Sequence, residues 1–482
     1  MLFPIILCAL VVVLLVADQV FATTSARLHR LAAWGFVALA LVAGVFVYAK
    51  PFVRATFHGE SQVDGWNVFH YYLNAKYFKE LGYQDLYACA VRADQEGERV
   101  LNEFMPTRDL RTYEEVPKTQ LPPCPIERFT PARWQSFVAD FATMERTFTR
   151  YPADYRQNPH WFWGIVLMDK GYNLPPPFIV LSQIFIRVLP LDMPGVNLLF
   201  YLDGIFLFLA CCFFARTFGP KIGGLVAFIS FLFFGTYGFL FGMLFQHAWF
   251  SAILCALACW KRGWLKVSAA LWAFAIVTRL FPAFLLIGWL VLALKDRRKR
   301  VFFYWLAGFC ALFLLLGLFC GKGFEGYVLF FEKMRLHAAY LHEEMTDVGW
   351  KHLTVLLGLP SFVAWIGWVL ATLALIFVAR RAHEWEALAL GAIFVFFSVD
   401  LSPNYYLLFA LTPLLFIKSS SSRAGALTLT GLLLIFSIQF WQSTVGPAFV
   451  VPDLLLHIAA DTSILLWMGL FVGSIWREQK KS

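Results

Sequence analysis

Charge is what this sequence is short of. Only 15% of its 482 residues are Asp, Glu, Lys or Arg, against about 25% in an ordinary soluble domain, and that deficit rules out a soluble enzyme. No Gly-x-x-x-x-Gly-Lys-Ser/Thr segment occurs, so ATP-driven transport lacks its phosphate cradle. Cys-x-x-Cys and His-Glu-x-x-His are also missing, which leaves a zinc site unsupported and implies no metal and no bound cofactor. Met1 opens an apolar run with neither a basic n-region nor a small-residue cleavage site, so the run reads as a retained helix. No internal repeat is visible, and low complexity is confined to Ser419–Ser422.

What is present is apolar: 60% of the residues, with 52 Phe and 18 Trp. Runs long enough to cross a bilayer as helices, about 20 residues each, recur near 2–18, 32–49, 196–215, 222–241, 243–259, 265–279, 281–294, 301–320, 361–379, 385–399, 403–417, 424–440 and 453–475. The expected fold is an all-α polytopic membrane protein of about 13 transmembrane helices. Its expected parts are N-terminal helices over 1–50, a large extracytoplasmic loop over 51–172 and a multi-span domain over 173–482 with a second external segment at 321–352.

The net charge of +9 conceals an asymmetry. Residues 51–172 carry 14 Lys/Arg against 16 Asp/Glu, and the rest of the chain carries 26 against 15. Basic residues outside the loop gather in short connections, such as Lys261–Lys266, Lys295–Arg300 and Arg380–Arg381, which the positive-inside rule places in the cytoplasm. Topology therefore explains the basic charge, and no nucleic-acid partner is needed. Arg27 and Arg30 put residues 51–172 outside. Only one span then fits between that loop and Arg216, so 174–190 must be a partial dip or an interfacial helix, or else the count fails by one.

The external loop carries too much aromatic residue to be disordered. From Asn67 to Leu81, Val68, Tyr71, Tyr72, Ala75 and Phe78 fall on one face at helical spacing with Gly82 as a stop, which predicts an amphipathic helix on the membrane surface. Cys89 and Cys124 are the only cysteines in the loop, and an oxidising exterior predicts a disulfide between them. The other seven cysteines lie in apolar spans and read as small buried hydrophobes.

An ordered set of short motifs follows: Glu80-Leu-Gly-Tyr-Gln-Asp-Leu-Tyr87, Leu174-Pro-Pro-Pro-Phe178, Phe245-Gln-His-Ala248, Thr278-Arg-Leu-Phe-Pro282 and Asp400-Leu-Ser-Pro-Asn-Tyr-Tyr406. This order resembles the GT-C superfamily of membrane glycosyltransferases, and most of all glycosyltransferase family 87, the polyprenyl-phosphate-mannose type. The resemblance implies a sugar carried on a polyprenyl phosphate and transferred with inversion to a lipid-linked or glycan acceptor. It implies a bacterial inner membrane with the site facing the periplasm, and membrane lipids as partners. It also implies an essential acid in the first external loop. Asp64, in Val63-Asp-Gly-Trp-Asn-Val-Phe-His70, is the matching candidate, with Glu60 in reserve, because family members often carry the acid where this chain has Asn67.

Displacing a phosphate from an anomeric carbon needs a carboxylate to accept the acceptor's proton and cations near the departing phosphate. Asp64 suits the first need, and it equally suits a helix N-cap at Gly65. Arg279, set between apolar half-spans ahead of Pro282, suits the second, or pairs internally with Asp203 or Asp400. Gln246, His247, Arg335, His337 and His342 are further candidates for the donor phosphate and lipid. Asn67, Tyr71, Tyr72, Asp400, Asn404 and Tyr405 are candidates for the cavity wall. His337 and His342 stand five apart, off a common helical face, which rejects a two-histidine metal site. Two other classes compete: a lipid transporter or flippase without chemistry, for which Pro-broken helices also suit, and an O-antigen ligase or polymerase.

Overall fold

The computed structural model describes residues 2–57, 65–97, 101, 106–148, 159–189, 191, 193–236, 245, 247–340, 349–380, 382–398 and 403–417. Asp64, Glu60, Gln246, His342 and Asp400 lie outside the described residues, as do the expected spans 424–440 and 453–475. Helices dominate. Among the described residues five helices are long and apolar enough to cross a membrane: α1 (Leu2–Thr24), α2 (Ala26–Phe57), α7 (Met193–Phe218), α12 (Arg297–Gly317) and α15 (Ser361–Ala379). Their outward faces carry large apolar side chains such as Val13, Leu315, Phe362 and Trp365, all more than half exposed. In water such a surface would be a liability, and in lipid it is solvated.

Between α2 and α7 the chain builds α3 (Leu86–Glu96), a ribbon of β1 (Pro106–Arg108) and β2 (Glu115–Pro117), α4 (Pro131–Phe148), α5 (Pro159–Val166) and α6 (Pro176–Val188). The strands pair antiparallel, Thr107 opposite Val116, a small exception to an all-α chain. The bundle is completed by α8 (Pro220–Thr236), α9 (Ala248–Lys261), α10 (Leu265–Arg279), α11 (Ile287–Ala293), α14 (Trp350–Leu356) and α16 (Glu384–Ser398), while α13 (Glu325–Tyr340) packs on the loop domain. Residues Pro403–Ile417, expected as an ordinary span, instead wind as a 3₁₀ helix with Pro413 inside it. That long 3₁₀ run departs from the usual three or four residues.

Two cores result. One lies within the bundle, where small residues allow close approach: a Cβ on Gly224 of α8 would meet the backbone of Val37 in α2 at 2.7 Å, the contact that small residues give helices in a membrane. The other lies in the loop domain, around Phe69, Tyr87, Phe137, Trp163 and Tyr172, and it takes in Phe245, Cys320 and Phe330 from the bundle's connections.

The basic connections meet one another at the opposite end. Lys221 pairs with Asp18, which also holds His29; Arg262 donates to Thr217 Oγ1 at 3.1 Å, Arg298 to the Trp260 carbonyl at 2.6 Å, and Lys299 pairs with Glu384 at 3.1 Å. One face of the bundle is therefore basic and the other carries the loop domain. This arrangement decides the role of α6. Its 13 residues span about 20 Å, less than the roughly 30 Å of a hydrocarbon core, and Gln183 donates to the carbonyls of Ala75 and Cys320, both on the loop-domain face. Both ends of α6 are held by the loop domain, the Leu174 carbonyl accepting from Tyr83 and the Leu189 carbonyl from Tyr72, each at 2.8 Å.

The loop helix corrects its expectation. Residues 65–81 are not one surface-lying amphipathic helix: the backbone opens into a π-helix over Val68–Leu73 and breaks at Tyr77. Its polar side is covered as well as its apolar side, with Asn67, His70 and Asn74 all buried. Periodicity sees one apolar face, but a helix packed all round by other loop segments has no polar face to show. Cys89 and Cys124 are joined, with Cα atoms 4.6 Å apart. Gly321–Gly326 has Gly-x-Gly-x-x-Gly spacing, yet it connects α12 to α13 with no strand before it, so the dinucleotide-binding context is absent.

Candidate functional site

The polar residues of the loop domain converge on the turn Asp169–Asn173. Arg108 of β1 fixes that turn from behind: its backbone N–H donates to the Leu167 carbonyl at 2.9 Å, and its guanidinium donates to the carbonyls of Met168 and Tyr113, each at 2.7 Å. Gly171 has φ +67°, a left-handed conformation that glycine adopts freely, and a Cβ there would press on Leu110 at 2.9 Å. Asn173 accepts from Tyr71 at 3.3 Å and the Leu174 carbonyl from Tyr83 at 2.8 Å. The turn is thus held from several segments far apart in sequence.

Asp169 is the acid of this cluster. The Trp66 indole N–H donates to its Oδ2 at 3.0 Å, and His70 Nδ1 stands 3.6 Å from the same oxygen. The carboxylate is a quarter exposed, and no described residue hydrogen-bonds Oδ1. His70 sits in the π-helical turn with no exposed surface; burial pushes its imidazole down to about 4, against the pull of Asp169. The ring has Nδ1 3.0 Å from the Trp66 carbonyl and Nε2 2.7 Å from the Tyr87 hydroxyl, which also lies 3.0 Å from the carbonyls of Val166 and Asp169. A π-bulge at a functional site is a common association.

Lys333 and His337 approach the acid from α13. Lys333 of α13 is 1% exposed, and its Nζ makes no hydrogen bond among the described residues; it lies over the Tyr113 ring at 4.7 Å. Burial lowers Lys333 to about 7, with Asp169 pulling upward and Arg108 pushing down. His337, one turn further along α13, packs edge-on to Tyr113 with centroids 6.5 Å apart. Burial, then Lys170 and Lys333, push it down to about 4. Burial also raises the Tyr172 hydroxyl well above its ordinary value, and the nearby Arg279 charge opposes that rise.

The expected site residues divide. Tyr71, Arg279 and His337 gather around this turn, and Asn67 is buried in the neighbouring helical turn. Tyr72 does not line a cavity: it is 2% exposed and its hydroxyl is spent on the Leu189 carbonyl at 2.8 Å. His247 is not a free donor on an external turn either. It is buried against Asp203, which takes both its ring Nδ1 and its backbone N–H, so the internal partner foreseen for Arg279 is engaged with His247. Arg335 is exposed. The backbone of Asn404 and Tyr405 is 3₁₀. Among the described residues no group of three His, Cys, Asp or Glu could hold a metal ion.

Sequence reasoning passed over Asp169, Lys333, His70 and Trp66. Lys333 and His337 stand four apart, the spacing that shares a helix face, and that pair was the available signal. Backbone strain marks the same region: among the described residues Tyr113, Phe245 and Leu280 are the non-glycine ones with positive φ, at 67°, 51° and 55°. Each is next to a candidate, Tyr113 under Lys333, Phe245 two residues before His247 and Leu280 directly after Arg279. Such conformations cluster at functional sites. No family model, curated protein or solved structure matches this chain.

Proposed function

We propose that this chain is an inverting glycosyltransferase that moves a sugar, mannose or another hexose or pentose, from a polyprenyl-phosphate donor to a lipid-linked or glycan acceptor on the extracytoplasmic side of a bacterial inner membrane. On this reading the loop-domain face is external, the chain crosses about thirteen times and the basic connections lie in the cytoplasm. The observation that carries the proposal is the turn at Asp169. A part-exposed carboxylate and a buried lysine flank this one turn, and the Tyr172 of that turn feels the charge of the buried Arg279.

The chemistry asks for two things there. Cations stabilise charge on the departing phosphate, a role for Arg279 with Arg335 at the edge; neutral His337 could only donate a hydrogen bond, and Gln246 and His342 are further candidates. A carboxylate of the loop accepts the acceptor's proton, and the resemblance assigns that role to Asp64, with Glu60 in reserve. The test is sugar transfer by the full-length chain in lipid nanodiscs, given defined polyprenyl-phosphate sugars and a lipid extract as acceptor. A glycosylated lipid of inverted anomeric configuration is the expected product. Transbilayer movement of the donor in vesicles without any product would instead make the chain a flippase, and transfer only from pyrophosphate-linked glycans would make it a ligase or polymerase.

A further inference from the structure

We infer that Asp169 is a catalytic residue, the carboxylate whose Oδ1 receives the proton of the acceptor hydroxyl, with Trp66 as its positioning residue. The inference rests on the glycosyltransferase reading above and names the proton acceptor within the described residues.

Geometry singles out Asp169. Of the acidic side chains that the loop domain encloses, Asp85 is tied by Arg111 and Arg128, Glu80 by Arg133, and Asp140 by Lys76 and Tyr77; Asp94 accepts the Leu101 N–H with both oxygens, and Glu145 is buried at 4% exposure, so neither offers an open carboxylate. The paired carboxylates hold loop segments together. Among the described residues Asp169 has no guanidinium or ammonium within ion-pair distance and is a quarter exposed; one of its oxygens accepts from a neutral indole N–H, and no described residue hydrogen-bonds the other. A neutral donor orients the carboxylate without neutralising it. His70 behind it is itself kept neutral, so it adds direction and no competing proton.

The setting is also suited to a charge that changes during turnover. The Lys333 ammonium, buried and without a hydrogen bond, is near enough to feel the Asp169 charge, and Arg108, Lys170 and His337 flank the same turn. In the transfer step the acceptor O–H bond breaks and its proton goes to Asp169 Oδ1. The oxygen's electron pair forms the new bond to the anomeric carbon, and the bond from that carbon to the phosphate oxygen breaks with its electrons. The products are the glycosylated acceptor, a polyprenyl phosphate and a protonated Asp169, which returns its proton to water.

The experiment uses the full-length chain in nanodiscs with polyprenyl-phosphate mannose as the first donor probe. Asp169→Asn keeps an oxygen to accept the Trp66 N–H and removes only the proton-accepting charge. Turnover is expected to fall at least a hundredfold, within the range of about 10²–10⁴ for a lost general base, with the donor KM within twofold and the Cys89–Cys124 linkage intact. Trp66→Phe is expected to lower kcat about tenfold at unchanged KM, and Asp169→Glu to fall between wild type and Asp169→Asn. If Asp169→Asn does not fold, the Trp66→Phe and Asp169→Glu results decide, and wild-type turnover in both overturns the assignment. Normal turnover in Asp169→Asn overturns it as well, and so does a donor KM raised as far as kcat is lowered. In these cases wild-type transfer still stands and the role passes to Asp64 or Glu60. Failure of the wild-type chain to transfer any sugar is the separate result that removes the glycosyltransferase reading.

Discussion

Lys333 gives the sharpest test of how the loop domain is built. A lysine free in an unfolded chain loses its proton near pH 10.4; buried at 1% exposure in α13, it loses it near 7. The unfolded chain therefore binds more protons than the folded one between pH 7 and 10, and stability rises with pH across that window. Below pH 7 both states are charged and the folded state carries the whole cost of a buried ammonium, roughly 4 kcal/mol at 1.36 kcal/mol per unit. Between pH 7 and 9 about 2 kcal/mol of that cost is relieved. Lys333→Met fills the same space without a charge, so its stability should lack this slope and should exceed that of the wild type most at pH 6. The assay is urea opening of the loop domain, read by pulse labelling of Cys320, which is buried in that core. Wild type and Lys333→Met are compared at each pH, so that the reagent's own pH dependence cancels. A difference between the two proteins that is the same at pH 7 and pH 9 would refute the reasoning.

Three further outcomes are expected. His70 and His337 take up protons near pH 4 when folded and near 6.5 when unfolded, so the loop domain should lose stability as pH falls from 6.5 to 4; in the same urea assay the double variant His70→Gln/His337→Gln should lose visibly less. Reducing Cys89–Cys124, or Cys89→Ser with Cys124→Ser, should destabilise this domain by about 3–4 kcal/mol for a 35-residue separation, and mass spectrometry of freshly isolated membranes should recover the linked peptides. Single cysteines placed at Glu96 and at Arg298 should differ in intact cells, the first reacting with a membrane-impermeant thiol reagent and the second not; labelling at Arg298 would reverse the orientation.

Much of the membrane architecture was legible because lipid enforces it locally. A helix that satisfies its own backbone and shows apolar side chains outward writes its length into the sequence, and α1, α2, α7, α12 and α15 lie where apolar runs predict them. The Cys89–Cys124 pair was legible too, since elimination left only two cysteines in the loop. The boundaries that failed did so for tertiary reasons. The expected span 281–294 is divided into a short turn, Pro282–Leu285, and α11, because Leu280 adopts φ 55° and Pro282 withholds an N–H from the ladder.

The loop domain was illegible for the opposite reason: its order comes from contacts across long separations. Trp66 and Asp169 are 103 residues apart, and Lys333 reaches Tyr113 from a segment on the far side of six helices of the bundle. A search along the chain tests neighbours at three, four or five positions. It therefore weighed His337 against His342 and saw neither Lys333 beneath Tyr113 nor Asp169 beneath Trp66. Burial adds a second obstacle, since a lysine and a histidine on an amphipathic helix read as its solvent face, whereas in α13 Phe330, Lys333 and His337 form one strip turned inward. A buried ammonium without a hydrogen bond is a standing cost to folding. Lys333→Met should remove that cost, and the same substitution should weaken whatever anion the cluster serves; a variant both more stable and less active would tie the cost to the site, whereas one more stable and fully active would detach Lys333 from it.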